Sequence, residues 1–228
     1  MASNDVPMRV TAYMRSGIVS DEWFPLDGIL LSQWVRDDLG VRDVTVPGAS
    51  LLAEPKGEPM RGGRMPIKVT HNKDWYYHCS WAEWGPYVDG TEYWNKRFDN
   101  PLADLIEFDG RRGKIDTSAA MYKAYRMPMY YRSALWVRWY LVGDIEKIRY
   151  LLATVTHIGK KISQGWGRVA KWEVDEVAED WSIWRDGKLM RGIPVYNLPK
   201  DVRATRRVSY GVRPPYWDKR NHMELVVE

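Results

Sequence analysis

Apolar and polar positions alternate near the start of the chain. Met8, Val10, Ala12 and Met14 fall on one side and Arg9, Thr11 and Tyr13 on the other, the period of a half-buried β-strand. After a turn at Ser16 and Gly17, Asp27 is placed to cap a helix over about residues 28–39, with Leu30 and Trp34 on its inner side and Gly40 at its end. Residues 47–63 are rich in Pro and Gly and read as a loop. Residues 65–70 and 75–81 read as paired extended segments turning around Asn72 and Lys73. Between residues 83 and 116 the periodicity is lost, and this stretch reads as an insertion without an assignable secondary structure.

Order returns beyond residue 117. Leu135, Val137, Trp139 and Leu141 alternate with Trp136, Arg138 and Tyr140, predicting a strand that stops at Gly143. Asp144 is placed to cap a helix whose Ile145, Ile148, Leu151, Leu152 and Val155 form one apolar face. A loop with three glycines leads to a strand over residues 169–177. A hairpin turning on Asp186 and Gly187, an arginine-bearing extended piece over 203–216 and a final strand over 223–227 follow. The order is strand, helix, strand, insertion, strand, helix, loop, strand and a β-rich tail. That is an α+β, ferredoxin-like (RRM-like) pattern. It divides the chain into a core domain over 1–178, with an insertion at about 83–132, and a β-rich C-terminal extension over 179–228. Such a fold hosts many activities, so function must come from a site.

Composition narrows the classes. The 228 residues, 45% of them hydrophobic, are enough to bury a sizeable core. Cys79 is the single cysteine, so neither a disulfide framework nor a cysteine zinc site can be assembled, and a reducing, cytoplasmic setting is expected. The first eight residues contain Asn4, Asp5 and Pro7 where a signal peptide needs a basic start and an apolar run, and a membrane span is not expected. The net charge of +4 points weakly to an anionic partner. Its distribution says more: residues 117–143, 147–172 and 202–217 hold no acidic residue while keeping their share of Lys and Arg. Tyrosines and tryptophans are interleaved with these cations, which suits single-stranded nucleic acid: charges for phosphates, rings for unpaired bases. For any one ring the structural alternative is core packing.

The segment from His157 to Val169 carries the functional reading. Gly159, Gly165 and Gly167 let the backbone take positive φ and approach a ligand closely, while Lys160, Lys161 and Arg168 add charge and Ser163 and Gln164 add uncharged donors. These residues suit a sugar-phosphate backbone. Two other glycine motifs fail here. A dinucleotide fingerprint needs a strand before and a helix after it, the reverse of the order predicted, and a phosphate loop would continue Gly159-Lys160 with Ser or Thr rather than Lys161. Trp166 can stack on a base or plug the sheet. Arg126 and Arg132, in the first acid-free stretch, complete the candidate RNA contacts. A flexible turn with solvated lysines is the plain alternative.

The run from Gly159 to Val169, between a helix and a strand, resembles the C-terminal glycine-rich loop of the RAMP superfamily of CRISPR proteins. The opening residues 9–13, Phe24-Pro25-Leu26-Asp27-Gly28, and Trp139 to Asp144 are similar to that superfamily as well. Within it, the chain is most similar to the Cas-five-type subunit of type IV systems, the Csf-three family. The resemblance implies a RAMP fold and a cytoplasmic, prokaryotic ribonucleoprotein used in antiviral defence or plasmid interference. In it the chain would be a non-catalytic subunit that caps the five-prime handle of the crRNA with residues 159–168. It would contact a backbone subunit through a thumb mapped at about 83–132, and adjoin the large subunit that meets target DNA. No cofactor is implied.

Related superfamily members cut precursor guide RNA without metal, so a metal-independent endoribonuclease is the alternative function. His157, just before the glycine loop, is then the candidate catalytic group, histidine being suited to proton transfer near neutral pH. A histidine closing the preceding helix is its structural alternative. His71 and His78 have no third ligand near them in sequence, so no metal site is expected. A third reading is a subunit devoted to protein contacts, with its thirteen tryptophans serving as interface anchors.

Overall fold

A computed structural model describes residues 5–38, 65–70, 73–98, 118, 122–199 and 206–228. The predicted helix end at Gly40, the Pro/Gly-rich loop at 47–63, His71, Asn72, residues 99–117 and Arg203 lie outside the described residues. The fold is mixed helix and sheet, with antiparallel strand pairings.

Strand β1 (Asp5–Met14) is flanked by β7 (Trp136–Asp144) and β8 (Val169–Glu176), and β4 (Glu83–Trp84) pairs with the far edge of β7, giving the sheet order β4-β7-β1-β8. The alternation read from the sequence is realised. Met8, Val10 and Ala12 of β1 and Val137, Trp139 and Leu141 of β7 are buried on one face. Helices α1 (Asp27–Asp38) and α2 (Ile145–Leu152) cover that face with Leu30, Ile148, Leu151 and Leu152. The Asp144 carboxylate accepts from the Lys147 amide at 3.2 Å, so α2 begins where the cap was expected. Asp27 does something else. It opens α1, but its carboxylate is fully buried, accepts from the Tyr216 hydroxyl at 2.7 Å and lies 3.6 Å from the buried guanidinium of Arg191.

Strands β5 (Tyr87–Lys96) and β6 (Tyr125–Ala134) form a long antiparallel ribbon, from Tyr87 opposite Ala134 to Lys96 opposite Tyr125. The ribbon continues the β4–β7 pair, since the Gly85 amide donates to the Trp136 carbonyl at 3.0 Å. Leu135 marks the junction and is 70% exposed, so it does not belong to the inward-facing set assigned to it from the sequence. Apolar side chains occur on both faces of this ribbon, and Pro128, a poor strand former, lies within β6, which is why no period-2 signal is visible there.

Strands β2 (Val69–Thr70) and β3 (Tyr76–Tyr77) pair as expected. In the C-terminal part, β9 (Trp184–Arg185) and β10 (Lys188–Leu189) turn on Asp186 and Gly187, both at positive φ. A three-stranded sheet of order β11-β13-β12, made of Ile193–Pro194, His222–Val227 and Arg206–Gly211, closes over a small second cluster of Tyr76, Ile193, Val212 and Leu225. His78 belongs to the join: it meets the Thr70 hydroxyl at 2.9 Å and the Asp180 carboxylate at 3.4 Å. Burial works against the Asp180 charge, yet hydrogen bonds from His78 and Ser182 hold its carboxyl down at about 2.

Candidate nucleic-acid interface

Residues 153–169 form a narrow stem closed by a turn. His157 bridges Arg168, the Ile158 amide donates to the Gly167 carbonyl at 2.9 Å, and the Val169 amide donates to the Thr156 carbonyl at 2.8 Å. The tip is a single 3₁₀ turn, Ile162–Gln164, flanked by Lys161 at φ 60° and Gly165 at φ 88°. Two glycines are demanded by geometry. A Cβ on Gly167 would stand 1.7 Å from the Ile158 carbonyl oxygen, and one on Gly159 would stand 2.7 Å from that of Val19.

The loop joining β1 to α1 holds this stem in place. The Lys160 amide donates to the Val19 carbonyl at 2.7 Å, the Gly167 amide to Gly17 at 2.7 Å, and the Ser16 hydroxyl both donates to the Gly165 carbonyl and accepts from the Arg168 amide, each at 2.9 Å. The other edge of the same loop bonds to the ribbon, Ile18 and Arg132 exchanging two backbone hydrogen bonds at 2.8 and 2.9 Å. Residues 15–19 are thus a bracket between the glycine loop and the ribbon. The amides of Gly165 and Gly167 are engaged inside the protein, to Ile162 and Gly17, so they do not point at an incoming anion as the sequence reading expected. The 3₁₀ turn's own Ile162 carbonyl takes the first, and the bracket's Gly17 carbonyl takes the second.

Side chains complete the contact. Trp166 is half-buried, its ring 4.7 Å from that of Tyr131, and Gly17 leaves the room both rings occupy. This packing sets Trp166 against the ribbon. Lys161 lies over the Trp94 ring at 4.4 Å. Lys160 is ion-paired with Asp21 at 2.5 Å, an exposed contact worth about 0–1 kcal/mol. Ser163 and Gln164 are exposed on the tip. Arg168 is exposed, and beside it stands Arg15, whose amide donates to the Arg168 carbonyl at 2.8 Å. Among the described residues neither guanidinium has a carboxylate partner. Sequence reading missed Arg15. The available signal was positional: a residue following β1 must face one preceding β8 once those strands pair.

The two ribbon arginines have partners. Arg132 donates to both Asp89 oxygens, at 2.7 and 2.9 Å, and stacks on Tyr87 at 3.9 Å, holding the Asp89 carboxyl below the ordinary range. Arg126 stacks on Tyr93 at 3.9 Å and stays exposed. The acid-free stretches do not make one uniform basic face, because acids elsewhere in the chain answer them: Lys171 meets Glu173, Arg138 meets Glu83, Arg206 meets Glu22 and Arg207 meets Glu224. The helix-free side of the main sheet is laced in this way, with Arg9 on Asp175 and the Tyr13 hydroxyl on Glu173. It is no open aromatic platform of the kind that RNA-recognition sheets present. Among the described residues Arg15, Lys161 and Arg168 have no carboxylate partner, and they border one exposed turn.

His157 is half-buried and pairs its Nδ1 with the Thr156 hydroxyl at 2.9 Å. It lies in the extended stem, five residues beyond the end of α2, so it does not close that helix. No described acid or base stands within hydrogen-bond reach of it. Among the described residues, His, Cys, Asp and Glu form no cluster able to hold a metal. Among the described residues no helix is long and apolar enough to cross a membrane.

Residues 63–228 match the family model described as CRISPR type IV associated protein Csf3. The chain belongs to that family. The match spans the glycine loop, the ribbon and the C-terminal sheet, and leaves out β1, the bracket loop and α1. No curated protein is similar enough to this chain to count as a match. Among solved structures, a chain of the type III-B Cmr-beta complex bound to cognate target RNA, determined by cryo-EM, is similar over 75% of this chain, at 12% identity and a TM-score of 0.31. This chain spans 60% of that neighbour's length. The Csf3 family match therefore carries the assignment.

Proposed function

We propose that this chain is a non-catalytic, RNA-binding subunit of a type IV CRISPR ribonucleoprotein, gripping the sugar-phosphate backbone of the crRNA at its five-prime handle with the glycine-loop tip. The observation that carries the reading is the cationic edge made by Arg15, Lys161 and Arg168 around an exposed turn, fixed by the bracket loop against an aromatic ribbon. A rigid frame presenting cations costs little reorganisation when phosphates arrive. Lys160 is available too, because its pair with Asp21 is solvent-exposed and weak, and a phosphate can displace it.

The main sheet and its two helices then constitute a ferredoxin-like RAMP core over residues 1–178, with 179–228 as a β-rich extension. The ribbon is the thumb that meets a backbone subunit, the large subunit and target DNA lie beyond it, and the assembly works in the cytoplasm. Among the described residues Thr156 is the side-chain hydrogen-bond partner of His157, and general acid–base catalysis needs a second placed group beside it.

Replacing Lys161 and Arg168 together by alanine is expected to weaken binding to handle RNA. The slope of log affinity against log salt should fall by about 1.4, at roughly 0.7 per phosphate contact on a single strand. Affinity measured over a salt series, with Lys188→Ala as a remote control, checks this. An unchanged slope removes the loop from the interface.

A further inference from the structure

Beside the glycine loop, between residues 18–22 and the root of the ribbon, lies a groove of about 370 Å³, within the range of small-ligand sites. From its lining we infer a nucleobase subsite that accepts an unpaired base carrying an exocyclic amino group, cytosine being the simplest, and disfavours uracil. The inference rests on the RNA-binding reading above and adds which part of the nucleotide enters the groove, and which bases fit.

Two rings border it, Trp84 and Tyr130, and Tyr130, on the same ribbon face as Asp89 and Thr91, is 71% exposed and free to stack, whereas the ring of Tyr131 turns to the other face, against Trp166. Stacking on such a side chain holds bases of any sequence and does not discriminate among them. The polar lining does. Asp21, Glu22 and Asp89 all face the groove, and ionised carboxylates only accept hydrogen bonds. Each is ion-paired: Asp21 with Lys160, Glu22 with Arg206 and Asp89 with Arg132. A carboxylate has about four acceptor positions, so one ion pair leaves room for a further donor. Two donors of Arg132, Nε and Nη2, are already given to Asp89. Ser20 and Thr91 carry hydroxyls that donate or accept, which does not alter the balance.

The groove is therefore aromatic and rich in acceptors. Its cations are already paired with those carboxylates, so a phosphate gains more at the unpaired Arg15, Lys161 and Arg168 of the tip, and a base turns inward. Cytosine offers an amino donor where uracil offers a carbonyl acceptor, and a second acceptor facing Asp21 or Asp89 is unpaired and repulsive. Continuity between the sites is direct, since Lys160 of the glycine loop is bonded to Asp21 on the groove rim and Tyr131 packs on Trp166.

The test uses the full chain and two labelled oligoribonucleotides of equal length, all cytidine and all uridine, so that phosphate number is constant. Affinity by fluorescence anisotropy is expected to favour the cytidine strand roughly tenfold, the discrimination given by a good base-edge contact. Asp21→Asn, whose amide donates as well as accepts, should bring the ratio close to one, while Tyr130→Ala should weaken both strands and Tyr130→Phe, which keeps the ring, should leave both affinities unchanged. Equal affinity of the unaltered chain for the two strands, or a preference that survives Asp21→Asn, overturns the groove assignment and leaves the phosphate grip standing. Absence of binding to either strand overturns both.

Discussion

Alanine in place of Arg191 is expected to destabilise the protein by about 3–5 kcal/mol, the penalty for removing one partner of a buried ion pair. Arg191 is 1% exposed and stitches three segments together. Its guanidinium donates to the carbonyls of Tyr77, of Cys79 at 3.0 Å and of Val212 at 2.9 Å, and faces the Asp27 carboxylate at the start of α1. Burial pushes the Asp27 carboxyl above the ordinary range, and Arg191 and the Tyr216 hydroxyl act against that push. Without Arg191 the carboxyl rises further. A carboxyl raised on folding disfavours the folded state increasingly as pH climbs from its unfolded value, about 4, toward its folded one. The deficit of the variant relative to the parent should therefore shrink in acid and widen toward neutrality. Urea unfolding at pH 5 and pH 8 checks the sign, and adding Asp27→Asn should recover part of the loss at pH 8.

Gly167→Ala should cost about 3 kcal/mol, because a left-handed non-glycine residue and a displaced carbonyl are combined at one position. The residue sits at φ 70° with the Ile158 oxygen where a Cβ must go. Gly165 provides the contrast. It is also left-handed, at φ 88°, but has open space around it, so Gly165→Ala should cost only about 1 kcal/mol. Thermal unfolding of the two variants separates them. The account further expects RNA affinity to fall with Gly167→Ala, whose carbonyl and amide hold Ile158 and Gly17, more than with Gly165→Ala at the solvated tip.

The regular core was legible because its residues obey simple periods. Met8, Val10 and Ala12 alternate as a strand with one wet face must, and Asp144 followed by Ile148, Leu151 and Leu152 is a cap and an apolar stripe. Asp186-Gly187 announced its own turn. The ribbon was not legible. Its rings and methionines lie on both faces, because one side packs toward the glycine loop through Trp94 and Tyr131 while the other offers Tyr87, Tyr93 and Tyr130, and a two-sided strand has no period-2 contrast. Asp27 was read as a cap because Asp before a helix usually is one. Its real partners, Arg191 and Tyr216, are over 160 residues away in sequence and no local pattern announces them.

For the candidate site, the glycine and lysine positions were visible as a motif, but their roles depend on pairings across the chain. Gly167 is needed for the stem and not to free its amide, since Gly17 accepts that hydrogen bond from the far side of β1. Lys160 found Asp21, and Arg15 came to stand beside Arg168. Each of these follows from β1 pairing with β8, a contact between residues some 160 apart. Single-residue chemistry cannot predict it, whereas the strand order, once known, requires it.

The most direct test of the central claim mixes the purified chain with labelled precursor and mature guide RNAs in the absence of divalent metal, and scores retention and cleavage in the same lanes. The account predicts retention of RNA carrying the five-prime handle, intact in both forms and weakened in the Lys161→Ala/Arg168→Ala variant. Specific cleavage that disappears in His157→Ala, or no retention of handle RNA at all, would contradict it.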